Sequence, residues 1–142
     1  VYRATDEALL LLGVVSEQPG VAQTSLAYAA PLTVLRLPLR EGDRWSTESD
    51  VAGLLSGVIF AAHHRYDFLV DGRHLTRVPA GEYDTLRLRA DRTERSGVRT
   101  TSRIEYHHLA ECAGTVASLR SRDNEARADF TQAAAYRRRT AP

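Results

Sequence analysis

Side chains along Val58–Val70 alternate between apolar and polar with a period of two residues. Neighbouring side chains of a strand point to opposite sides, so this pattern is typical of a strand with one buried face. One face holds Val58, Phe60, Ala62, His64, Tyr66 and Phe68. No stretch keeps a 3.6-residue period over three turns, and the best helical candidate, Asn124–Arg139, also suits a final strand. The sequence therefore predicts a chain built of strands.

Glycine, proline and Asp/Asn clusters interrupt the chain about every ten residues, the spacing of short strands joined by turns. The predicted strands are Ala8–Ser16, Gln23–Ala29, Trp45–Ala52, Val58–Val70, His74–Val78, Tyr83–Glu94, Val98–Glu111, Thr115–Arg120 and Phe130–Arg137. Pro31 and Pro38 make residues 30–44 a connector that holds at most a short strand, Val34–Leu37.

Two glycine-containing pairs are predicted to form hairpin turns. Asp71-Gly72 has the residue types of a tight type I′ turn, which would place Phe68 opposite Leu75. Ala113-Gly114 turns the chain again. It would set His108 opposite Leu119 and Ala110 opposite Ala117.

A three-residue loop, Arg95-Ser96-Gly97, is predicted between the two longest remaining strands. Gly97 supplies the left-handed backbone that such loops need at their last position. This register pairs apolar with apolar side chains, Leu86 with Tyr106 and Leu88 with Ile104. It also sets Arg87 opposite Glu105 on the solvent face.

Long consecutive hairpins must curl around a core to bury their apolar face. We therefore predict an all-β fold, an antiparallel meander of about eight to ten strands that forms a strongly curved sheet, half-barrel or barrel. The length suits a single β domain over residues 1–142, with residues 136–142 as a frayed tail.

The basic residues are all arginine, and they are concentrated in the second half of the chain. Residues 1–72 carry five arginines against nine acidic residues, a net charge of −4, whereas residues 73–142 carry fourteen against nine, a net charge of +5. This asymmetry indicates a solvated arginine-rich face, or a domain that docks on an acidic partner or on its own copy. The absence of lysine excludes Schiff-base and P-loop mechanisms.

Two segments carry a family resemblance. Leu35–Trp45, LRLPLREGDRW, and Val78–Arg87, VPAGEYDTLR, are similar to motifs of a bacterial cell-envelope family of β proteins of unknown function. The resemblance implies a secreted, periplasmic or lipoprotein-type domain, a half-barrel similar in shape to lipoprotein carriers, in which Trp45 and Gly81 maintain the fold. A lipidated N-terminal cysteine is missing, and the start at Val1 suggests a mature or excised piece of a longer precursor.

The histidines and the single cysteine are the weak candidates for metal or thiol chemistry. Neighbouring residues of a strand face opposite sides, so neither His63-His64 nor His107-His108 can chelate one metal alone. His64, His108 and Cys112 share the predicted core side, but Cys112 and His108 lie about 13 Å apart along one strand, too far for proton transfer. We expect no enzyme activity, no resident metal and no cofactor.

Four arginines are predicted to cluster on one exposed patch that could bind a partner: Arg87, Arg89, Arg99 and Arg103. The alternative is a solvent face in which the arginines pair with Asp91 and Glu105. The patch has no interleaved aromatic side chains, so nucleic acid is not expected as a partner.

A curved sheet can also enclose an apolar ligand. The cavity lining would come from Phe60, Tyr66, Phe68, Leu86, Leu88, Ile104 and Tyr106. The alternative is that these side chains simply fill the core.

The sequence thus favours a non-catalytic secreted or cell-envelope domain, periplasmic, outer-envelope associated or extracellular, with a structural or partner-binding role. A protein partner or self-association is expected, and no apolar run is long enough for a transmembrane segment. The alternatives are a carrier or sensor of a lipid-like ligand and, with less support, a metal-assisted or thiol enzyme.

Overall fold

The computed structural model describes residues 1–17 and 20–141. They form nine strands: β1 Tyr2–Ala4, β2 Ala8–Val15, β3 Ser25–Arg36, β4 Arg44–Leu55, β5 Val58–Val78, β6 Gly81–Ser96, β7 Arg99–Ala110, β8 Gly114–Arg120 and β9 Ala135–Arg138. The strands pair in sequence order from β1 to β9. The predicted all-β class and antiparallel meander are confirmed. No helix long and apolar enough to cross a membrane occurs in the described part of the chain.

The hairpin predicted at Asp71-Gly72 is wrong. β5 is 21 residues long and runs through Asp71 and Gly72 to Val78. The turn falls at Pro79-Ala80. Phe68 and Leu75 therefore lie on the same strand instead of facing each other across a turn. The carboxylate of Asp71 is held by Arg87 of β6, so pairing with the next strand prevails over the local turn signal.

The loop between β6 and β7 is shorter than predicted. Arg95 and Ser96 still belong to β6, and only Gly97 and Val98 form the turn. Gly97 does adopt a positive φ of 56°. The sequence predicted Leu86 opposite Tyr106, whereas in the structure the guanidinium of Arg87 lies over the Tyr106 ring.

The hairpin of β7 and β8 is confirmed with its register shifted by two residues. His108 lies opposite Ala117 and Tyr106 opposite Leu119, where the sequence predicted His108 opposite Leu119. From Glu105 to His108 a shift of two keeps each side chain on its predicted face, and beyond an irregularity Ala110 lies opposite Gly114 where the sequence predicted Ala117. The turn includes Cys112, at φ 59°.

The end of the chain pairs with the sheet, where the sequence predicted a frayed tail. β9 pairs with β8, and the amide of Arg139 donates a hydrogen bond to the carbonyl of Val116 at 2.8 Å. The strand begins at Ala135, so residues 130–134 of the predicted strand lie outside it. Pro142 of the predicted tail lies outside the described residues.

The predicted connector at residues 30–44 is shorter in the structure: β3 continues through Pro31 to Arg36, and residues 37–43 connect it to β4. The β2–β3 register jumps between the pairs Leu11–Leu32 and Gly13–Ala27. Pro31 falls within that irregularity, where its missing N–H costs no ladder hydrogen bond.

The chain divides into two compact units. The first comprises Val1–Leu39, Thr47–Arg65 and Glu94–Thr100, and the second comprises Arg40–Ser46, Tyr66–Thr93 and Thr101–Pro142. In the first unit Leu26, Val51 and Ala62 form a buried cluster, against which Tyr28 and Phe60 pack.

The core of the second unit includes a stack of aromatic rings. The rings of Trp45 and Phe68 stack with centroids 4.8 Å apart, and Tyr66 stacks on Phe68 at 5.8 Å. The buried aliphatic side chains of this unit include Val70, Leu88, Ala90, Ile104 and Val116. The prediction that the whole chain is a single domain stays a prediction.

Candidate binding site

The second unit carries a cleft of about 410 Å³. Strands β5 to β8 and the segment that precedes β9 contribute its lining, which is Asp71, Arg87, Arg89, Tyr106, His108, Leu119, Ala128, Asp129 and Phe130. We call this hollow the arginine–tyrosine cleft. It combines guanidinium groups, carboxylates and aromatic rings at one place.

The guanidinium of Arg87 is fixed on two sides. Its Nε and one terminal nitrogen donate to the two carboxylate oxygens of Asp71 at 2.7 and 2.9 Å. Its central carbon lies 5.0 Å from the centroid of the Tyr106 ring. The hydrogen bond to Asp71 raises the pKa of Arg87. The bidentate pair orients the guanidinium and leaves its other N–H donors available.

Arg89 lies between the arginine–tyrosine cleft and a neighbouring hollow of about 530 Å³ that Trp45 and Asp91 also line. Its Nε donates to Asp91 at 2.9 Å, and this hydrogen bond raises the pKa of Arg89. Arg89 is thus held by the carboxylate two residues further along the same strand face.

The aromatic wall of the cleft joins β7 to the irregular segment before β9. The hydroxyl of Tyr106 donates to the carbonyl of Ala128 at 2.7 Å, and its ring lies 6.0 Å from that of Phe130. Burial raises the pKa of Tyr106. The segment around Ala128 is therefore tied to the wall.

His108 is a half-buried residue of the cleft lining. Its Nδ1 is 3.0 Å from the hydroxyl of Thr76, which is itself 2.8 Å from the hydroxyl of Thr85. The hydroxyl of Thr85 also donates to the carbonyl of His74. Burial lowers the pKa of His108, and His74 and Arg87 lower it further. The surroundings of His108 thus favour a neutral imidazole.

This lowered pKa predicts a stability that falls in mild acid. Below the ordinary histidine pKa of 6.5, the unfolded chain takes up a proton that folded His108 resists, so acid favours unfolding. We expect the free energy of unfolding to decline as the pH falls below about 6.5. His108→Gln should flatten that decline, measured by urea unfolding at a series of pH values.

His63→Gln is the matched control, because it also removes a histidine, one that lies beside Asp50 outside the cleft. An unchanged slope in His108→Gln would contradict the prediction.

Two of the four arginines predicted as a patch lie in the cleft. Arg87 and Arg89 line it, and each is paired with an aspartate. Arg103 pairs with Asp123 instead, and Arg99 is exposed at the start of β7 in the first unit. The expected partner of Arg87, Glu105, lies beside His107, whose hydrogen bond lowers the Glu105 pKa.

The residues predicted to line an apolar cavity have three different environments. Phe68, Leu88 and Ile104 are buried, and Leu86 and Tyr66 are half-buried in the same unit. Phe60 packs in the core of the first unit. Among the seven, Tyr106 alone is in the lining of the arginine–tyrosine cleft.

The weak metal candidates have separate environments. His64 is buried in the first unit between the hydroxyl of Tyr28 at 2.9 Å and the carboxylate of Glu94 at 3.1 Å. Cys112 is exposed in the β7–β8 turn. Within residues 1–17 and 20–141, no group of three or more His, Cys, Asp and Glu side chains is placed to hold a metal ion.

Sequence reasoning missed several cleft residues: Asp71, Leu119, Ala128, Asp129 and Phe130. With the hairpin placed at Pro79-Ala80, counting back along both strands puts His74 opposite Thr85 but Asp71 opposite Leu88, so strict alternation would face Asp71 away from Arg87. The Pro-Ala-Gly corner therefore indicates the neighbourhood of Asp71 but not the face on which it meets Arg87. No comparable signal marks Ala128 or Phe130.

Comparison with protein-family models, curated proteins and solved structures finds no match to this chain. The resemblance to envelope proteins accordingly rests on the two sequence motifs alone.

Proposed function

We propose that the chain is a non-catalytic binding domain whose arginine–tyrosine cleft takes a carboxylate of a partner protein, together with an adjoining apolar side chain. The observation that carries this proposal is the fixed guanidinium of Arg87, held by Asp71 and stacked on Tyr106. A preoriented guanidinium loses little freedom on binding, and Arg and Tyr are the side chains on which protein interfaces most depend.

Charge and shape support an acidic partner. The bidentate contact with Asp71 uses two of the five N–H donors of the Arg87 guanidinium, so donors remain for a second carboxylate. Tyr106 and Phe130 offer ring surfaces beside them. Residues 73–142 carry a net charge of +5, which favours encounter with an acidic protein.

The apolar-carrier alternative has less support, because Phe68, Leu88 and Ile104 are buried in packed side chains and the cleft itself is lined by charged groups. A location in the bacterial cell envelope, in the periplasm or outside the cell stays a prediction that rests on the sequence motifs.

Short peptides of equal length test the proposal. The first peptide contains glutamate and phenylalanine. The second has lysine in place of the glutamate, and the third has glutamine there. We expect the acidic peptide to shift the Nε–H resonances of Arg87 and Arg89 in NMR titrations. Arg89→Gln should weaken this binding about tenfold, since it removes a charged hydrogen-bond donor.

Arg77→Gln is the matched control, because Arg77 also pairs with a carboxylate, Glu82 at 2.7 Å, but is exposed and outside the cleft. Equal binding of the basic peptide, or shifts confined to residues outside the cleft, would refute the proposal.

A further inference from the structure

Three connections lie at the same end of the first unit. They are the described residues 16, 17 and 20–24 of the β2–β3 connection, the β4–β5 turn Ser56-Gly57 and the β6–β7 turn Gly97-Val98. In an antiparallel meander every second connection falls at the same end of the strands.

Hydrogen bonds join the first two connections and tie the end of β6 to β5. The amide of Gly57 donates to the carbonyl of Gln23 at 2.8 Å, and the amide of Ser56 donates to the hydroxyl of Thr24 at 3.1 Å. The hydroxyl of Ser96 donates to the carbonyl of Ala61 at 3.0 Å, which ties the β6–β7 turn to β5.

This end of the unit exposes aliphatic side chains. We call the set the aliphatic tip; it comprises Val14, Val15, Val21, Leu55, Val58, Ile59 and Val98. Val21, Ile59 and Val98 are 100%, 87% and 107% exposed, so these three side chains project into solvent without packing on a neighbour. A group of exposed aliphatic side chains on adjacent turns marks an interaction surface.

Charged residues flank the tip. Arg95 and Arg99 lie on either side of the Gly97-Val98 turn; both are exposed, and neither has an ion pair with a described residue. Glu17 is the acidic residue described in the β2–β3 connection. By contrast, the β1–β2 connection of the same unit contains Asp6 and Glu7. The tip is therefore the more basic end.

We propose that the aliphatic tip docks on the surface of a lipid bilayer that contains anionic headgroups. Separate, projecting side chains need no preformed pockets in a fluid hydrocarbon layer, whereas a rigid protein surface would have to supply a pocket for each. Arg95 and Arg99 lie where they can contact lipid phosphates while Ile59 and Val98 enter the acyl boundary. This surface is in the first unit, whereas the residues of the arginine–tyrosine cleft belong to the second.

Vesicle co-sedimentation tests the proposal with phosphatidylcholine vesicles and with vesicles that also contain phosphatidylglycerol. We expect the protein to bind the anionic vesicles, and the double variant Ile59→Ser/Val98→Ser to partition about tenfold more weakly. Arg95→Gln and Arg99→Gln should each weaken binding to anionic vesicles about fivefold at low salt. Leu75→Ser is the matched control, an exposed aliphatic side chain in the other unit, and should bind as the unmodified protein does.

Several outcomes would overturn the bilayer proposal. These are no co-sedimentation with either vesicle, or equal binding by the double variant with its circular dichroism unchanged. A third is a lipid-free dimer, seen by analytical ultracentrifugation, that the double variant dissociates; it would assign the tip to a second copy of the chain.

Discussion

Trp45→Ala is expected to lower the free energy of unfolding by about 3–5 kcal/mol, the range for removing a large buried aromatic side chain. Trp45 is 6% exposed, and its ring stacks on Phe68, which stacks in turn on Tyr66. Alanine does not fill the space of the indole ring, so the substitution leaves a cavity beside Phe68. Urea unfolding of the full chain, followed by circular dichroism, measures the loss.

Two variants separate packing from the mere removal of an aromatic ring. Trp45→Phe retains a ring against Phe68 and should lose less than Trp45→Ala. Tyr136→Ala removes a ring that is half exposed on β9 and should cost about 0.5 kcal/mol or less, as surface substitutions generally do. A loss below about 1 kcal/mol for Trp45→Ala would refute the claim that the aromatic stack is a main source of stability, since losses at such sites are normally several times larger.

Gly57→Ala is the second change with a large expected effect. A Cβ atom at this position would lie 1.9 Å from the carbonyl oxygen of Val21, and the backbone φ of +80° is unfavourable for alanine. Backbone strain costs about 1–3 kcal/mol, and overpacking adds about 1–3 kcal/mol. We therefore expect Gly57→Ala to lower the free energy of unfolding by more than the backbone strain alone would.

Gly42→Ala isolates the strain contribution. Gly42 has nearly the same φ, +89°, but a Cβ there meets nothing within 4 Å. Gly42→Ala should therefore cost only the strain, and Gly57→Ala should exceed it by about 1–3 kcal/mol. Equal losses, measured by urea unfolding of both variants, would show that the β4–β5 turn moves away from Val21 at little cost.

The fold class could be predicted because strand alternation is a local property. Along Val58–Val70 the predicted face contains the buried Ala62, His64 and Phe68. Turn positions were less predictable. Asp-Gly at 71–72 and Pro-Ala at 79–80 are both acceptable local turns, and the choice between them depends on whether β5 can continue to pair with β6.

The cleft was partly predictable for the same reason. Arg87 and Arg89 were assigned to one face of one strand, and alternation alone places them together. Their partners depend on register: a turn at Asp71-Gly72 would place Asp71 in a loop, whereas continuous β5 brings its carboxylate to Arg87, and Tyr106 lies on the arginine side. The contribution of Phe130 depends on an irregular segment, for which no periodicity exists.

The two strands that end the pairing order, β1 and β9, are also the shortest, at 3 and 4 residues, against 21 for β5. Short outer strands leave little unpaired backbone on which another polypeptide could polymerise, and Arg137 and Arg138 place like charges along β9 that would repel an approaching copy. β1 pairs with Leu9 to Leu11 of β2 and β9 with Ala117 to Arg120 of β8, so each end of the pairing order presents only a short, poorly templating strand. Removal of β9 would uncover β8, so a truncated chain should be prone to insoluble fibrous assembly.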